Sequence, residues 1–281
     1  MTEIAEPRVV SPNALTVRTS AAAPERVRAK VAERLISFFS PLLLLGLWEL
    51  LVRVELLDAR FFPAPSRVLV AFWQLLISGQ LLGHVGISLL RSGIGFVLGG
   101  VPALIIGLSM GLFPMVRAAI WPMIGALYPI PKIAILPLVM LIFGLGESSK
   151  WVIIAVGVFF PILINTMAGV INIDPIYLDV GRNFGASRIN RYLTIALPGA
   201  LPLIITGVRL AWGVALLLIV AAEFVASKSG LGYLIWQSWQ TFAVDQMYVG
   251  IITISGLGYL SFVLLDELGK ILVPWKPGTV S

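Results

Sequence analysis

Long apolar runs alternate with short polar stretches along the 281 residues. The runs lie at about 35–54, 87–112, 119–143, 151–171, 201–226 and 248–268. Each is long enough for a helix to cross the hydrocarbon core of a bilayer, which takes about twenty residues. The pattern predicts an all-α polytopic membrane protein with about six transmembrane helices. A polar tail occupies 1–34; up to about residue 30 it holds Pro7, Pro12 and Pro24 among many Ala, Ser and Thr, and it reads as disordered. The run that follows is too long for the core of a secretion signal and lacks a small-residue cleavage site. The transmembrane domain is expected over 35–272, with a cytoplasmic loop at 172–200 and a second tail at 273–281.

Basic residues orient the pattern, because they accumulate on the cytoplasmic side of membrane spans. Ten fall inside when the N-terminus is placed there: Arg26, Arg28, Lys30, Arg34, Arg117, Arg182, Arg188, Arg191, Lys270 and Lys276. Six fall outside: Arg53, Arg60, Arg67, Arg91, Lys150 and Lys228. Both termini are therefore expected in the cytoplasm, with the chain multi-pass in its membrane.

Polar residues within or beside the runs carry further expectations. Glu49 either pairs with Arg53, four residues on, or packs inside the bundle. Arg67 to Ile77 reads as an amphipathic helix at the outer interface, N-capped by Ser66, with Val68, Leu69, Phe72, Trp73 and Leu76 on one side. His84 is expected in a solvated loop. The second run is rich in Gly, Ala and Ser, which lets helices approach closely in lipid, and Arg91 is expected to snorkel outward. Residues 113–118 form an inner turn, Glu147 to Lys150 an outer one, and 227–247 an outer loop with Trp236 and Trp239 as an interfacial anchor. Arg209 reaches the inner headgroups, and Asp266 faces Lys270.

The third run is unlike the others. It contains Pro122, Pro129, Pro131 and Pro137, and each proline removes a backbone donor. Broken backbone at membrane depth is tolerated where protein or a water-filled cavity satisfies it, so this run is expected to line a pathway. Lys132 either caps the freed carbonyls or offers a cationic spot to an anionic solute. Glu223 is either a helix-packing hydrogen-bond partner or part of a gate.

Between the fourth and fifth runs lies a polar segment, Asp179 to Pro198. Asp174 can N-cap a short helix with Pro175 at its first position. That helix runs to about Phe184, and Gly185 ends it in a left-handed conformation. Ser187 caps a second helix, ending before Pro198, with Ile189, Tyr192, Leu193 and Ala196 on one face. The product is a bent hairpin with an apolar and a cationic side.

This hairpin resembles the EAA loop of permease subunits of ATP-binding-cassette (ABC) importers. Gly185, Ile195, Leu197 and Pro198 stand in register with the family's Gly and Ile-x-Leu-Pro. Asp179, Val180 and Gly181 replace the usual Glu-Ala-Ala; Asp keeps the charge on a shorter arm, and Gly181 weakens the helix by about 1 kcal/mol relative to Ala. The stretch from Tyr128 through Gly146 resembles the subgroup that handles nitrate, sulfonates, taurine, bicarbonate and vitamin precursors. Ala222-Glu223 and Gly230-Leu231-Gly232 also match family habits. The resemblance implies a type I importer permease (MetI-like) fold and a second permease copy completing the pathway. It implies two ATPase chains, which hold the ATP and Mg, gripping Asp179, Val180, Gly181, Phe184, Gly185, Arg188 and Ile189. An extracellular binding protein would deliver the solute, and Lys132, Glu223, Pro129 and Pro131 would line the pathway or gate.

Composition narrows the alternatives. Hydrophobic residues make up 58% of the chain and charged ones 12%. There is no Cys and one His, so disulfides and multi-histidine metal centres are excluded. The net charge of +6 is that of residues flanking spans rather than of a nucleic-acid binder. No Gly-rich phosphate loop ending in Gly-Lys-Ser/Thr is present, and no catalytic constellation, so no cofactor is expected in this chain itself. The remaining alternative is an ATP-independent secondary transporter or channel using Lys132 and Glu223.

Overall fold

The structure, a computed structural model, describes residues 22–187 and 190–274. Those residues form helices joined by short breaks, and no strand occurs among them. The expectations for 1–21, Arg188, Ile189 and 275–281 fall outside the described residues.

The chain divides into two compact units after Ala59. The first holds α1 (Ala22–Arg53), which contains nearly all of the first expected crossing but starts well before residue 35. Ala, Glu, Lys and Arg between 22 and 34 are good helix formers, so the helix extends backward from the apolar run. Arg53 and Glu49 pair at 2.8 Å near its end.

In the second unit, α3 (Gln80–Leu112), α6 (Glu147–Ile171) and α8 (Leu197–Ala226) form the core, with α6 packed along both of the others. Ile153, Ile154, Val158, Ile162 and Leu163 of α6 are buried against it. Small residues set the spacing. A Cβ on Gly99 would fall on the Ala155 backbone, and one on Gly111 on the Val170 side chain. α3 and α6 therefore run parallel in close contact, as small residues allow in lipid. Gly157 faces Leu218 while Gly169 faces Ala200, so α8 runs antiparallel to α6. One end of the core carries Leu112, Ile171 and Leu197. The opposite end carries Gln80, Glu147 and Ala226.

Among the described residues, four helical stretches are long and apolar enough to cross a membrane: α3, α6, Leu193–Val225 and α10 (Val244–Leu272). The third expected run forms α4 (Pro114–Leu127), a 3-10 turn (Lys132–Ile135) and α5 (Leu136–Phe143), which qualify only together and are bent by 84°.

Several local expectations are corrected. The turn at 113–118 shrinks to Phe113, because Pro114 suits the first position of α4. Glu147 to Lys150 is the first turn of α6 rather than a loop. The outer loop contains α9 (Leu231–Gln240), on which the rings of Trp236 and Trp239 lie 4.8 Å apart. His84 belongs to α3, and its Nδ1 accepts the Gly230 N–H at 3.0 Å. In α2 (Pro65–Ile77) the N-cap is Ala64, not Ser66, and Val68, Ala71 and Leu75 are buried while Leu69 and Trp73 are exposed. Tertiary contact chose that face: α2 packs on α10, pinned by Arg67 to Asp245 at 2.9 Å.

Candidate functional site

The hairpin forms at the end of the core that carries Ile171 and Leu197. α7 (Pro175–Asn183) starts where expected, with Asp174 Oδ1 accepting the Ile176 N–H at 3.0 Å. It ends in a Schellman motif: Gly185 N–H donates to Arg182 O and Ala186 N–H to Gly181 O. Gly185 sits at φ +71°, a conformation that glycine adopts without side-chain strain. Ser187 Oγ then accepts the Asn190 N–H at 3.2 Å, the bond of an N-cap.

The second helix does not end before Pro198. Arg191–Ala196 forms a π-helical turn that runs straight into α8, with Pro198 in the first turn of that helix. The wider turn relieves the clash a proline ring makes with the preceding α-helical turn. α7 rests on this turn: a Cβ at Gly181 would lie 2.5 Å from Ile195 Cδ1.

The structure thus gathers Asp179, Val180, Gly181, Phe184 and Gly185 on one short helix and its cap. Phe184 is 88% exposed, and Ile176, Tyr177 and Val180 are exposed with it. Asp179 touches Arg182 at 3.3 Å on the same surface.

The pathway candidates fall in two places. Pro129 and Pro131 form the break between α4 and the 3-10 turn. Lys132 Nζ donates to Leu127 O, Tyr128 O and Ile130 O at 2.8–3.0 Å, and lies 4.3 Å from the Phe160 ring centroid. In a continuous helix Leu127 O would accept from residue 131, which as proline has no N–H. Lys132 supplies that missing donor.

Glu223 lies near the opposite end of α8 and is fully buried. Its carboxylate accepts from Ser88 Oγ at 2.9 Å, Arg91 Nη1 at 2.8 Å and the Gly232 N–H at 2.8 Å. Leu231 N–H donates to Ser88 Oγ at 2.8 Å. Gly230, at φ +110°, passes so close that a Cβ there would fall on the carboxylate. The start of α9 is therefore built onto Glu223. Lys132 and Glu223 do not pair; each is satisfied by its own surroundings.

Arg91 corrects an expectation. It does not snorkel but is 5% exposed, bonded to Glu147 at 2.6 and 2.7 Å, to Glu223 and to Ser229 O. Lys150 is buried beside it, 3.2 Å from Glu147. Five polar side chains from α3, α6 and α8 thus close the end of the core away from the hairpin. An arginine three residues after Ser88 on a helix otherwise packed through small residues was the available signal. Arg209 pairs with Asp266 at 2.7 Å, and Lys270 joins Asp266 at 3.1 Å. Among the described residues no cluster of three metal-ligating side chains forms.

The profile of the family described as binding-protein-dependent transport system inner membrane component matches residues 103–275, hairpin included. The chain belongs to this family. This permease is 38% identical over 244 residues to the putative aliphatic sulfonates transport permease protein SsuC of Escherichia coli (strain K12), covering 87% of the chain and 93% of that protein. It is 34% identical over 240 residues to the taurine transport system permease protein TauC of the same organism, covering 83% and 86%. The nitrate import permease protein NrtB of Leptolyngbya laminosa is 30% identical over 248 residues, covering 85% and 86%. The fold matches a chain of the MetNI methionine ABC transporter in inward-facing conformations, with a TM-score of 0.57 and 19% identity over 70% of this chain and 97% of that one. That likeness concerns fold alone, and it is the importer-permease fold expected from the sequence. The permease is a multi-pass inner-membrane transport subunit, and its family works with an ATPase and a solute-binding protein. Family membership favours ATP-driven import over the ATP-independent carrier.

Proposed function

We propose that two copies of this permease form the pathway of an ATP-driven importer of small organosulfonates or related oxyanions. Two ATPase chains grip the 174–198 hairpin, a binding protein delivers solute at the end bearing α9, and both termini are cytoplasmic. The carrying observation is the hairpin itself. Phe184, 88% exposed, and its apolar neighbours stand at the hairpin end of α8, and none of the described residues covers them. Apolar surface beside a sharply capped bend suits insertion into a partner's cleft. The names of the sulfonate, taurine and nitrate relatives support the solute class. The orientation gains support from Arg91 and Lys150, which are buried and so leave the outer count of basic residues at four against ten. ATP hydrolysis belongs to the partner. Lys132, Pro129 and Pro131 at the bend, and Glu223 at the far end, are the pathway and gate residues of this reading.

Reconstituting the permease with its ATPase and binding protein in liposomes tests it. ATP-dependent accumulation of ethanesulfonate is expected. Uptake that persists without the ATPase and collapses with an ionophore returns the secondary-carrier reading.

A further inference from the structure

α4 runs antiparallel to α6, and the two approach each other at two places. Tyr128 and Phe160 meet at one with ring centroids 5.9 Å apart. At the other, Pro114, Arg117, Ala118, Trp121 and Pro122 of α4 line with Met167 of α6 an open pocket of about 460 Å³. Met167 follows Phe160 by two helical turns, about 10 Å along α6. Arg117 precedes Tyr128 by three turns on the same side of α4, about 16 Å away. Lys132 stands over Phe160 and Arg117 lines a pocket with Trp121, so each of the two places has a cation beside an aromatic ring. The two cations differ. Lys132 is occupied by three carbonyls, whereas Arg117 meets no side-chain partner among the described residues.

We infer that Arg117 is an oxyanion-binding station in this pocket at the hairpin end of α4, the last on the solute's way through the permease; the inference rests on the anion-import reading above. A guanidinium donates paired N–H groups to two oxygens of a sulfonate. The solute's short alkyl stem lies against the Trp121 ring and the Met167 thioether, which accept apolar surface without a polar cost. The pocket is within the size range of small-molecule sites and holds one such solute. Its opening at the end of the core beside Leu112 and Ile171 places it where release would occur. An inner-leaflet lipid phosphate offers the same chemistry from another source, and the test separates the two.

The complex with ATPase and binding protein is reconstituted as wild type, Arg117→Gln, Arg117→Lys and Trp121→Leu, in phosphatidylcholine with or without phosphatidylglycerol. Ethanesulfonate uptake is measured beside the fluorescence response of the binding-protein-free complex titrated with ethanesulfonate. Arg117→Gln is expected to weaken the titration and slow uptake by about tenfold, as loss of a charge-assisted contact does. Arg117→Lys retains most of both, Trp121→Leu loses the fluorescence response, and the wild-type values are the same in either lipid. Wild-type uptake undiminished in Arg117→Gln overturns the station alone. A response to phosphatidylglycerol but not to ethanesulfonate, abolished by Arg117→Gln, assigns the pocket to lipid and overturns it too. A wild-type complex that carries no ethanesulfonate removes the import reading, and the station with it.

Discussion

Arg91 of α3 and Glu223 of α8 meet at 2.8 Å with side chains 6% and 0% exposed, the most deeply buried ion pair among the described residues. Glu147 and the first turn of α9 are attached to the same two groups, so the pair ties four helices together at one end of the core. Removing Arg91 leaves the buried Glu223 without its counter-charge, which costs about 3–5 kcal/mol in such sites, and removing Glu223 leaves Glu147 as the carboxylate partner of Arg91. Glu223→Leu and Arg91→Leu should each lower the thermal unfolding temperature strongly, and the double variant should recover part of the loss. Single variants that melt like wild type would show that the pair is not formed.

Gly230 should tolerate nothing larger. Its φ of +110° and the carboxylate behind it leave no place for a methyl group. Gly230→Ala is expected to displace α9 from Glu223, read as new protease cleavage between 226 and 244 with α3 and α6 still protected. An unchanged digestion pattern would contradict the geometry.

At the hairpin, glycine matters in two opposite ways. Gly185 is left-handed at φ +71°, and a side chain there costs about 1–2 kcal/mol and blocks close approach. Gly185→Asp should insert normally yet uncouple ATP hydrolysis from ethanesulfonate uptake; coupled wild-type rates would refute this. Gly181 is helical, and its added Cβ would meet only the flexible tip of Ile195. Gly181→Ala should therefore be neutral or stabilise α7 by up to about 1 kcal/mol, with coupling intact.

Phe184→Cys, in a chain otherwise free of cysteine, should crosslink to the ATPase in the assembled complex. Labelling of that cysteine by an impermeant reagent from outside intact cells would reverse the proposed orientation.

Lys132→Gln leaves Leu127 O and Tyr128 O without their cationic donor. Uptake of ethanesulfonate should fall further than uptake of a neutral solute carried by the same complex. Equal loss for both would reduce Lys132 to a cap on the proline break.

The hairpin was legible because its signals are local: a cap at Asp174, a proline after it and a glycine where the chain turns. The proline break was legible for the same reason, since a missing N–H is a property of one residue. Arg91 was misplaced because the rule applied to it concerns isolated helices. Its partners Glu147 and Glu223 lie 56 and 132 residues away, and nothing in a single strand of sequence brings those carboxylates near. The buried face of α2 failed similarly: its periodicity fitted two faces, and contact with α10 selected one.

The unbroken passage from the π-helical turn into α8 has a mechanical consequence. Thirty residues of α8 make a continuous helix about 45 Å long, with Pro202 in its second turn. One extremity carries the hairpin proposed to seat the ATPase, and the other is clamped by Arg91. A helix that stays continuous beyond that turn does not absorb a push by folding at the middle; it tilts, and tilting it strains the clamp. Opening at the far mouth and closure of the ATPase would then be two readings of a single crank angle.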